Sequence, residues 1–307
     1  PLPGSLNGSI SVAGYTRQTI MKSRWIINLL LLVAIGILML VAYFEPGIDE
    51  QAEIPAITEL EKDQLHRIHL NRPVRDDLVL VRKAAGDWVI ERTPELPADD
   101  YQVNALQKLA EQKAVRSYPA AELDLAQLQL DPPYATAILN DTVIEIGNLN
   151  PLQGLRYVRV ADQVHLIHDL YLHLIESSYT QFVRRRLFAD DTRFSRINLP
   201  DFSVTRTEQD WTVEPQQAVS ADTLQQFIDR WQNATGLNIQ AADSTTEGEG
   251  GSVELIQADS GHSIKLVISA REPELVLAHP ELGIQYRMGE LGGGLLNLTP
   301  PEPGNQE

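Results

Sequence analysis

The sequence predicts an α+β protein, with one N-terminal transmembrane helix followed by two related units of antiparallel sheet plus helix. Residues 25–44 contain no charged side chain, whereas charges are frequent in the rest of the chain. A short pattern that begins at Asp87-Trp88 returns at Asp210-Trp211. Apolar and polar residues alternate around both patterns, which is typical of half-buried strands in an antiparallel sheet.

The apolar run has the length and the flanks of a membrane anchor. A helix rises about 1.5 Å per residue, so residues 25–44 would span roughly 30 Å, the thickness of the hydrocarbon core. The cations before the run are Arg17, Lys22 and Arg24, and the first charges after it are acidic. Because basic flanks stay in the cytoplasm, we expect a single-pass protein of the bacterial inner membrane with its C-terminal domain in the periplasm. A cleaved signal peptide is the alternative, although its apolar core would span only about 7–15 residues.

The same patterns set the segment boundaries. Residues 1–24 are predicted to be a cytoplasmic tail, residues 45–63 a stalk linker and residues 299–307 a disordered tail. The two α+β units are placed at residues 64–190 and 191–298. Because Met21-Lys22-Ser23-Arg24 is typical of a translation start, residues 1–20 are interpreted as non-native sequence, with a short native tail as the alternative.

Charge and cysteine content exclude some classes of partner and of anchor. The chain has 25 Lys and Arg against 42 Asp and Glu, a formal net charge of −17. A surface this acidic repels phosphate backbones, so a nucleic-acid partner is not expected. Cysteine is absent, which excludes a lipid anchor on a processed cysteine, and a domain of this size can bury a sufficient core without disulfides.

Each unit is predicted to contain three strands, a helix, a further strand and then two hairpins. Gly236 is expected to end the second unit's helix. A further helix is predicted over residues 171–187, with Asp169 as its cap. The expected N-caps of the two repeated helices are Asp99 or Asp100 in the first and Ser220 or Asp222 in the second.

Two sets of residues are candidates for a structural or a binding role. Trp88 and Trp211 recur at equivalent places, so we interpret them as core anchors of the two units rather than as a ligand-binding pair. Arg184, Arg185 and Arg186 form a basic run in an acidic domain. They are a candidate docking patch for an acidic partner, and a solvated face of the predicted helix is the alternative.

No catalytic, cofactor-binding or metal-binding residue is predicted. His165, His168 and His173 are the best metal candidates, but residues three apart in a strand point to opposite faces and do not converge. The adjacent carboxylates, such as Asp190 and Asp191, are expected by chance in so acidic a chain. The glycine-rich stretch at residues 289–294 lacks the spacing of a phosphate-binding loop.

Several short motifs carry a resemblance to a known family. They are Leu128-Gln129-Leu130-Asp131-Pro132-Pro133, Ile144-Glu145-Ile146-Gly147-Asn148 and Tyr157-Val158-Arg159, in that order after the first Asp-Trp pattern. The chain resembles the bacterial DUF4340 family from about Leu65 to Phe188 and, more weakly, on to Leu298. The resemblance implies an envelope protein anchored by one N-terminal helix, and an accessory role beside ABC-transporter and gliding-type (GldG-like) components. It supplies no catalytic residues.

The sequence therefore favours a non-catalytic, membrane-anchored periplasmic scaffold or accessory subunit of an envelope complex. The expected partners are the inner membrane and a membrane or envelope protein, with an ABC-type permease as one candidate. A periplasmic module that binds a glycan or peptide is the alternative, and a pocket between the units lined by Tyr157 or Tyr286 would favour it. An envelope hydrolase is the least favoured hypothesis.

Overall fold

The computed structural model describes residues 19–44, 56–208, 210–242 and 250–298. The chain divides into two compact units, residues 1–54 and residues 55–307. Most of the predicted stalk, residues 1–18 of the predicted cytoplasmic tail and the predicted C-terminal tail lie outside the described residues, whereas residues 19–24 belong to a helix.

The first compact unit contains one helix, α1, over Thr19–Phe44. Its side chains are described at residues 25–41 and 43, and all of them are exposed, as in Trp25 at 74% and Leu38 at 68%. Across the described part of the chain, no helix combines the length and the sustained apolar character that crossing a membrane requires. The predicted helix is thus present, and its crossing of a membrane stays a prediction.

The second compact unit contains two antiparallel sheets and a few short helices. Within the described residues, the first sheet has nine strands in the order β4-β3-β2-β1-β6-β7-β8-β9-β5. Its strands and helices are β1 Arg67–Asn71, β2 Leu78–Arg82, β3 Trp88–Ile90, β4 Leu96–Pro97, α2 Asp100–Gln107, β5 Arg116–Pro119, β6 Ala135–Leu139, β7 Thr142–Asn150, β8 Leu155–Val160, β9 Gln163–His168 and α3 Leu172–Ile175.

The second sheet has eight strands among the described residues, in the order β12-β11-β10-β14-β15-β16-β17-β13. Its elements are β10 Phe194–Asn198, β11 Ser203–Arg206, β12 Trp211–Glu214, α4 Ala221–Gln232, β13 Asn238–Ala241, β14 Ser252–Gln257, β15 Ser263–Ala270, β16 Val276–His279 and β17 Ile284–Arg287. When β4 is set aside, the two orders match strand for strand. The predicted duplication is therefore present in the topology, and we call the two sheets with their helices the first and second copies.

Local sequence signals placed the strands and both repeated helices well. The strands that flank Asn140 and Ala161 form hairpins as predicted, and both residues adopt a positive φ, 52° and 49°, at the turns. The Asp99 carboxylate accepts a hydrogen bond from the Gln102 N–H, and the Ser220 hydroxyl accepts one from Thr223. These side chains satisfy backbone donors that the first helical turn leaves free.

One hydrophobic core runs through both copies. Trp231 of α4 is fully buried and its indole Nε1–H donates to the Leu295 carbonyl at 3.0 Å. Trp88 is buried at 6% exposure, whereas Trp211 is half-buried and packs against the core from its margin. Whether each tryptophan stabilises its copy stays a prediction.

The helix predicted over residues 171–187 is wrong. Only α3 and one 3-10 turn, Tyr179–Phe182, form there, and the following residues form no helix. Asp169 does not cap a helix, because its carboxylate binds the Arg156 guanidinium through two hydrogen bonds of 2.7 and 2.8 Å. Long-range contacts of this kind override a local helical period.

The end of α4 also differs from the prediction. The helix ends at Gln232 with Asn233 as its C-cap, before Gly236. Gly236 lies instead against Tyr286, where an added Cβ would approach the Tyr286 Cδ1 to 3.0 Å. The glycine is thus explained by close packing and not by helix termination.

The last part of the segment predicted as a stalk contacts the folded body. Ile57 is buried, and its backbone N–H donates to the Gln112 carbonyl at 2.8 Å. The Thr58 hydroxyl donates to the Ala110 carbonyl at 2.7 Å. The ordered body therefore begins before residue 64.

Candidate docking groove

The two copies are joined by a connector, residues 182–188, that hydrogen-bonds to both of them. The Arg184 N–H donates to the Pro97 carbonyl of β4 at 2.9 Å. On the other side, the Arg185 carbonyl accepts from the Gly236 N–H at 2.8 Å, just before β13. The connector is therefore a backbone bridge between an edge of the first sheet and the beginning of the second copy's edge strand.

The connector places the three arginines that the sequence groups as a docking patch in different environments. Arg185 is exposed, whereas Arg184 and Arg186 are half-buried. Arg186 donates to the Asp190 carboxylate and to the Asn233 side chain, so its charge is already neutralised. The solvated helix face, which was the alternative, is excluded because no helix forms there.

Arg184 points toward the core of the second copy. Its Nε is buried and has no hydrogen-bond partner among the described residues. Burial raises the pKa of Tyr286 to about 12, and the positive charge of Arg184 acts against that rise. The charge of Arg184 therefore acts on the buried Tyr286. Arg185 is the arginine of the run that is exposed to solvent.

Arg185 faces a groove of about 450 Å³ that lies between the copies. No hydrogen bond or ion pair to another described side chain occupies its guanidinium. Across the groove Arg287 is paired with Glu274, so it offers less free charge than Arg185 does. The groove is lined by Gln102, Thr180, Gln181, Val183, Arg185, Leu237, Asn238, Ile239, Glu274 and Arg287.

A second groove of about 370 Å³ adjoins the first, because Gln102 and Gln181 line both. Its lining includes two large side chains that are exposed to solvent. Tyr101 is 77% exposed and Leu170 is 58% exposed. An exposed arginine beside amide side chains and exposed apolar groups is a combination that protein interfaces favour. We call the two together the docking groove.

A pocket between the copies lined by Tyr157 or Tyr286 would have favoured ligand binding, and neither residue lines the docking groove. Tyr286 is 1% exposed and belongs to the core. The Tyr157 hydroxyl accepts a hydrogen bond from the Asn150 side chain at 3.0 Å, on β8 of the first sheet. Sequence reasoning missed most of the other groove residues, among them the amides Gln102, Gln181 and Asn238, which carry no local signal and meet only through long-range pairing.

The histidines lie in separate environments. The His165 Nδ1 is 2.7 Å from the Ser117 hydroxyl, and burial lowers the pKa of His165. His168 is exposed at the end of β9, and His173 of α3 lines the second groove. Among the residues described, no three His, Cys, Asp or Glu side chains are grouped so that they could hold a metal ion.

The glycine-rich stretch forms a turn and not a cradle for phosphate. Gly289 has φ 67° directly after β17, and residues Glu290–Leu295 form a 3-10 helix. Carbonyls of that region accept from Arg230 of α4 at 2.9 to 3.1 Å. The stretch closes the second copy over α4.

Comparison with known proteins places this architecture in a family. No curated protein matches the chain, and no solved structure matches it. The model of the family described as "Domain of unknown function (DUF4340)" matches residues 88–249, from β3 of the first copy to a point between β13 and β14. That match begins later and ends earlier than the resemblance seen in the sequence motifs, and it includes both Asp-Trp strands, the connector and Arg185. Since it extends over more than half of the chain, the chain belongs to the DUF4340 family.

Proposed function

We propose that the chain is a non-catalytic accessory subunit of an envelope complex, anchored in the inner membrane by α1, and that the docking groove binds an acidic segment of a membrane-protein partner. The observation that carries the proposal is the unpaired, exposed guanidinium of Arg185 beside exposed apolar side chains. An arginine of this kind forms bidentate, charge-assisted hydrogen bonds with a carboxylate.

The anchoring part of the proposal rests on α1. Residues 25–44 carry no charge, and the apolar side chains described on this helix are exposed on all sides. Exposed side chains of this kind are stable in lipid and unstable in water. The cations before the run and the acids after it favour a periplasmic location for the second compact unit.

The docking part rests on charge and shape. The chain carries a net charge of −17, so it repels most acidic surfaces, and a local free cation selects where an acidic segment can bind. The amides of Gln102, Gln181 and Asn238 supply hydrogen-bond donors around Arg185. The resemblance implies an ABC-type permease as the class of partner, which fits a protein anchored in the same membrane.

Co-purification from detergent extracts tests the docking. We expect the full chain to retain an integral membrane protein, and Arg185→Glu to lose at least about tenfold of it, because the charge reversal converts attraction into repulsion. Arg116→Glu is the matched control, because Arg116 is also exposed and unpaired among the described residues but lies on β5, at the far edge of the first sheet. Equal recovery with Arg185→Glu and wild type contradicts the proposal.

The anchor has its own test. Alkaline extraction should leave the full chain in the membrane fraction, and a reporter fused after Glu307 should be active in the periplasm. Release of the chain by alkaline carbonate contradicts the anchoring, and cytosolic activity of the reporter contradicts the orientation.

Binding of a soluble periplasmic ligand is the second candidate. The volume of about 450 Å³ lies in the range of small-molecule sites, roughly 300–1,000 Å³. A short acidic peptide or an acidic glycan would use the same Arg185 contact. A rise in thermal midpoint with such a ligand, lost in Arg185→Glu and without any co-purifying protein, would favour this candidate over docking.

A further inference from the structure

The outer edge of the second sheet is open where the corresponding edge of the first sheet is covered. In the first copy, β4 pairs with the outer side of β3, and the Ala98 N–H donates to the Trp88 carbonyl at 2.9 Å. The connector then adds to β4 through the Ala98–Val183 bridge. In the second copy β12 is the last strand, and no strand or bridge in the described chain pairs with its outer side.

The match between the copies identifies the backbone groups that face outward. Trp88 and Trp211 occupy the same register position, each opposite an arginine of the preceding strand. Two residues later Ile90 and Val213 correspond in the same way, and Ile90 is the residue that pairs with Leu96 of β4. Since alternate residues of a strand direct their N–H and C=O groups to the same side, Val213 presents an unused donor and acceptor outward.

The open edge is also acidic. In the first copy the acid that corresponds to Glu214 is Glu91, which is paired with Arg67 at 2.8 Å. In the second copy, the equivalent arginine, Arg196, binds Asn198 instead at 2.8 Å. The acids at or beside β12 that form no ion pair with another described residue are Glu208, Asp210, Glu214 and Asp222.

A cavity of about 280 Å³ lies between the start of β12 and the first turn of α4. Its lining combines one cation with several acids: Arg206, Glu208, Asp210, Trp211, Ala221, Asp222 and Gln225. Trp211 is half-buried there, whereas its counterpart Trp88 is buried at 6% exposure. Covering β12 in the way that β4 covers β3 would desolvate the exposed face of Trp211.

We infer that β12 takes up an extended, basic segment of a partner polypeptide as an added strand. An apolar residue of that segment takes the place that Leu96 has in the first copy, and its cations meet the unpaired acids. The backbone supplies the hydrogen bonds of strand addition, and the acids select the charge. This surface is separate from the docking groove, because Arg185 lies on the connector and β12 lies at the opposite edge of the second sheet.

The test uses the full chain in detergent micelles and a labelled peptide that copies the covering strand of the first copy. The probe is a peptide of residues 92–99 carrying Glu95→Lys and Asp99→Lys, which keeps Leu96 and makes the segment basic. Fluorescence anisotropy should show saturable binding, and amide exchange of the chain should slow in β12. The unmodified peptide, which lacks the added cations, and the basic peptide with Leu96→Ser are the controls and should bind more weakly.

Two variants of the chain locate the binding. Val213→Pro removes the outward N–H and leaves the hydrogen bonds to β11, since proline is tolerated on the solvent side of an edge strand. It should weaken the affinity for the basic peptide at least about tenfold. Asp210→Lys leaves the backbone unchanged, so it keeps the test decisive if Val213→Pro does not fold, and it should weaken binding mainly at low salt.

Three results overturn the inference. The first is the absence of saturable binding by the basic peptide, or binding of that peptide by both variants with the affinity of the wild-type chain. The second is a concentration-dependent dimer of the wild-type chain that Val213→Pro abolishes, which would assign the edge to a second copy of the chain. The third is a gain in peptide binding when residues 299–307 are deleted, which would assign the edge to the chain's own C-terminal segment.

Discussion

The Arg156–Asp169 pair offers the sharpest test of how the first copy is held together. Asp169 follows β9, and Arg156 lies on the neighbouring strand β8. The Arg156 Nε and Nη2 donate to the two carboxylate oxygens at 2.7 and 2.8 Å, and Nη1 donates to the Gly147 carbonyl at 2.6 Å. The side chains are 10% and 24% exposed, so the pair is largely removed from water.

Asp169→Asn keeps the shape of the side chain and removes the charge that Arg156 needs. Breaking a buried pair costs about 3–5 kcal/mol, because one charge is left without compensation. Since a quarter of the Asp169 side chain still reaches water, we take the low end and expect a loss of about 3 kcal/mol in the free energy of unfolding. Arg156→Met combined with Asp169→Leu should cost less than the sum of the single changes.

Urea unfolding of the full chain in detergent, followed by tryptophan fluorescence, gives these free energies. The matched control is Glu91→Gln, because Glu91 also forms two hydrogen bonds with an arginine, Arg67, but both side chains are more than 40% exposed. Exposed pairs of this kind contribute little to stability, because water screens the two charges. If Asp169→Asn lowers the free energy of unfolding by no more than Glu91→Gln does, burial does not increase the contribution of the Arg156–Asp169 pair to stability.

Further predictions concern the repeated tryptophans and a buried histidine. Trp88→Ala should lower the free energy of unfolding by about 3–5 kcal/mol. Trp211→Ala should lower it by less than half of that, because Trp211 keeps part of its surface in water. Equal losses of stability in urea unfolding would contradict this prediction. Burial lowers the pKa of His279 below 6.5, with Glu281 acting against the shift and His262 adding to it. The imidazole therefore binds a proton at higher pH in the unfolded chain than in the folded chain, and stability falls as the pH drops below about 6.5. His279→Gln should flatten the slope of stability between pH 6.5 and 5 by up to about 1.4 kcal/mol per pH unit. An unchanged slope would show that His279 has the same pKa in the folded and unfolded states, which contradicts the prediction.

The parts of the fold that local chemistry determines could be predicted from the sequence. Alternation gave the hairpins, and the short polar side chains of Asp99 and Ser220 marked the helix starts, because each acts within a few residues of itself. The recurrence of Asp-Trp indicated the duplication, which the two strand orders bear out. The signal was sufficient because equivalent strands carry equivalent patterns.

The parts that depend on distant residues could not be predicted in this way. Residues 171–187 have a helical period, yet Val183 and Arg184 bind β4 and leave the helix unformed. Asp169 precedes that segment like a cap, but its partner is Arg156 on another strand. The docking groove is assembled from α2, the connector and β13, so neither the grouping of Arg184–Arg186 nor the spacing of the amides could reveal which arginine faces it.

The most direct test of the proposed function is photo-crosslinking in living cells from within the docking groove. With p-benzoylphenylalanine in place of Gln181, the full chain should give one discrete adduct with an integral membrane protein, and adding Arg185→Glu should remove it. The same group in place of Leu152, which is 93% exposed on the β7–β8 turn, should give no such adduct. An adduct from Leu152 alone, or one from residue 181 that persists with Arg185→Glu, would contradict the account.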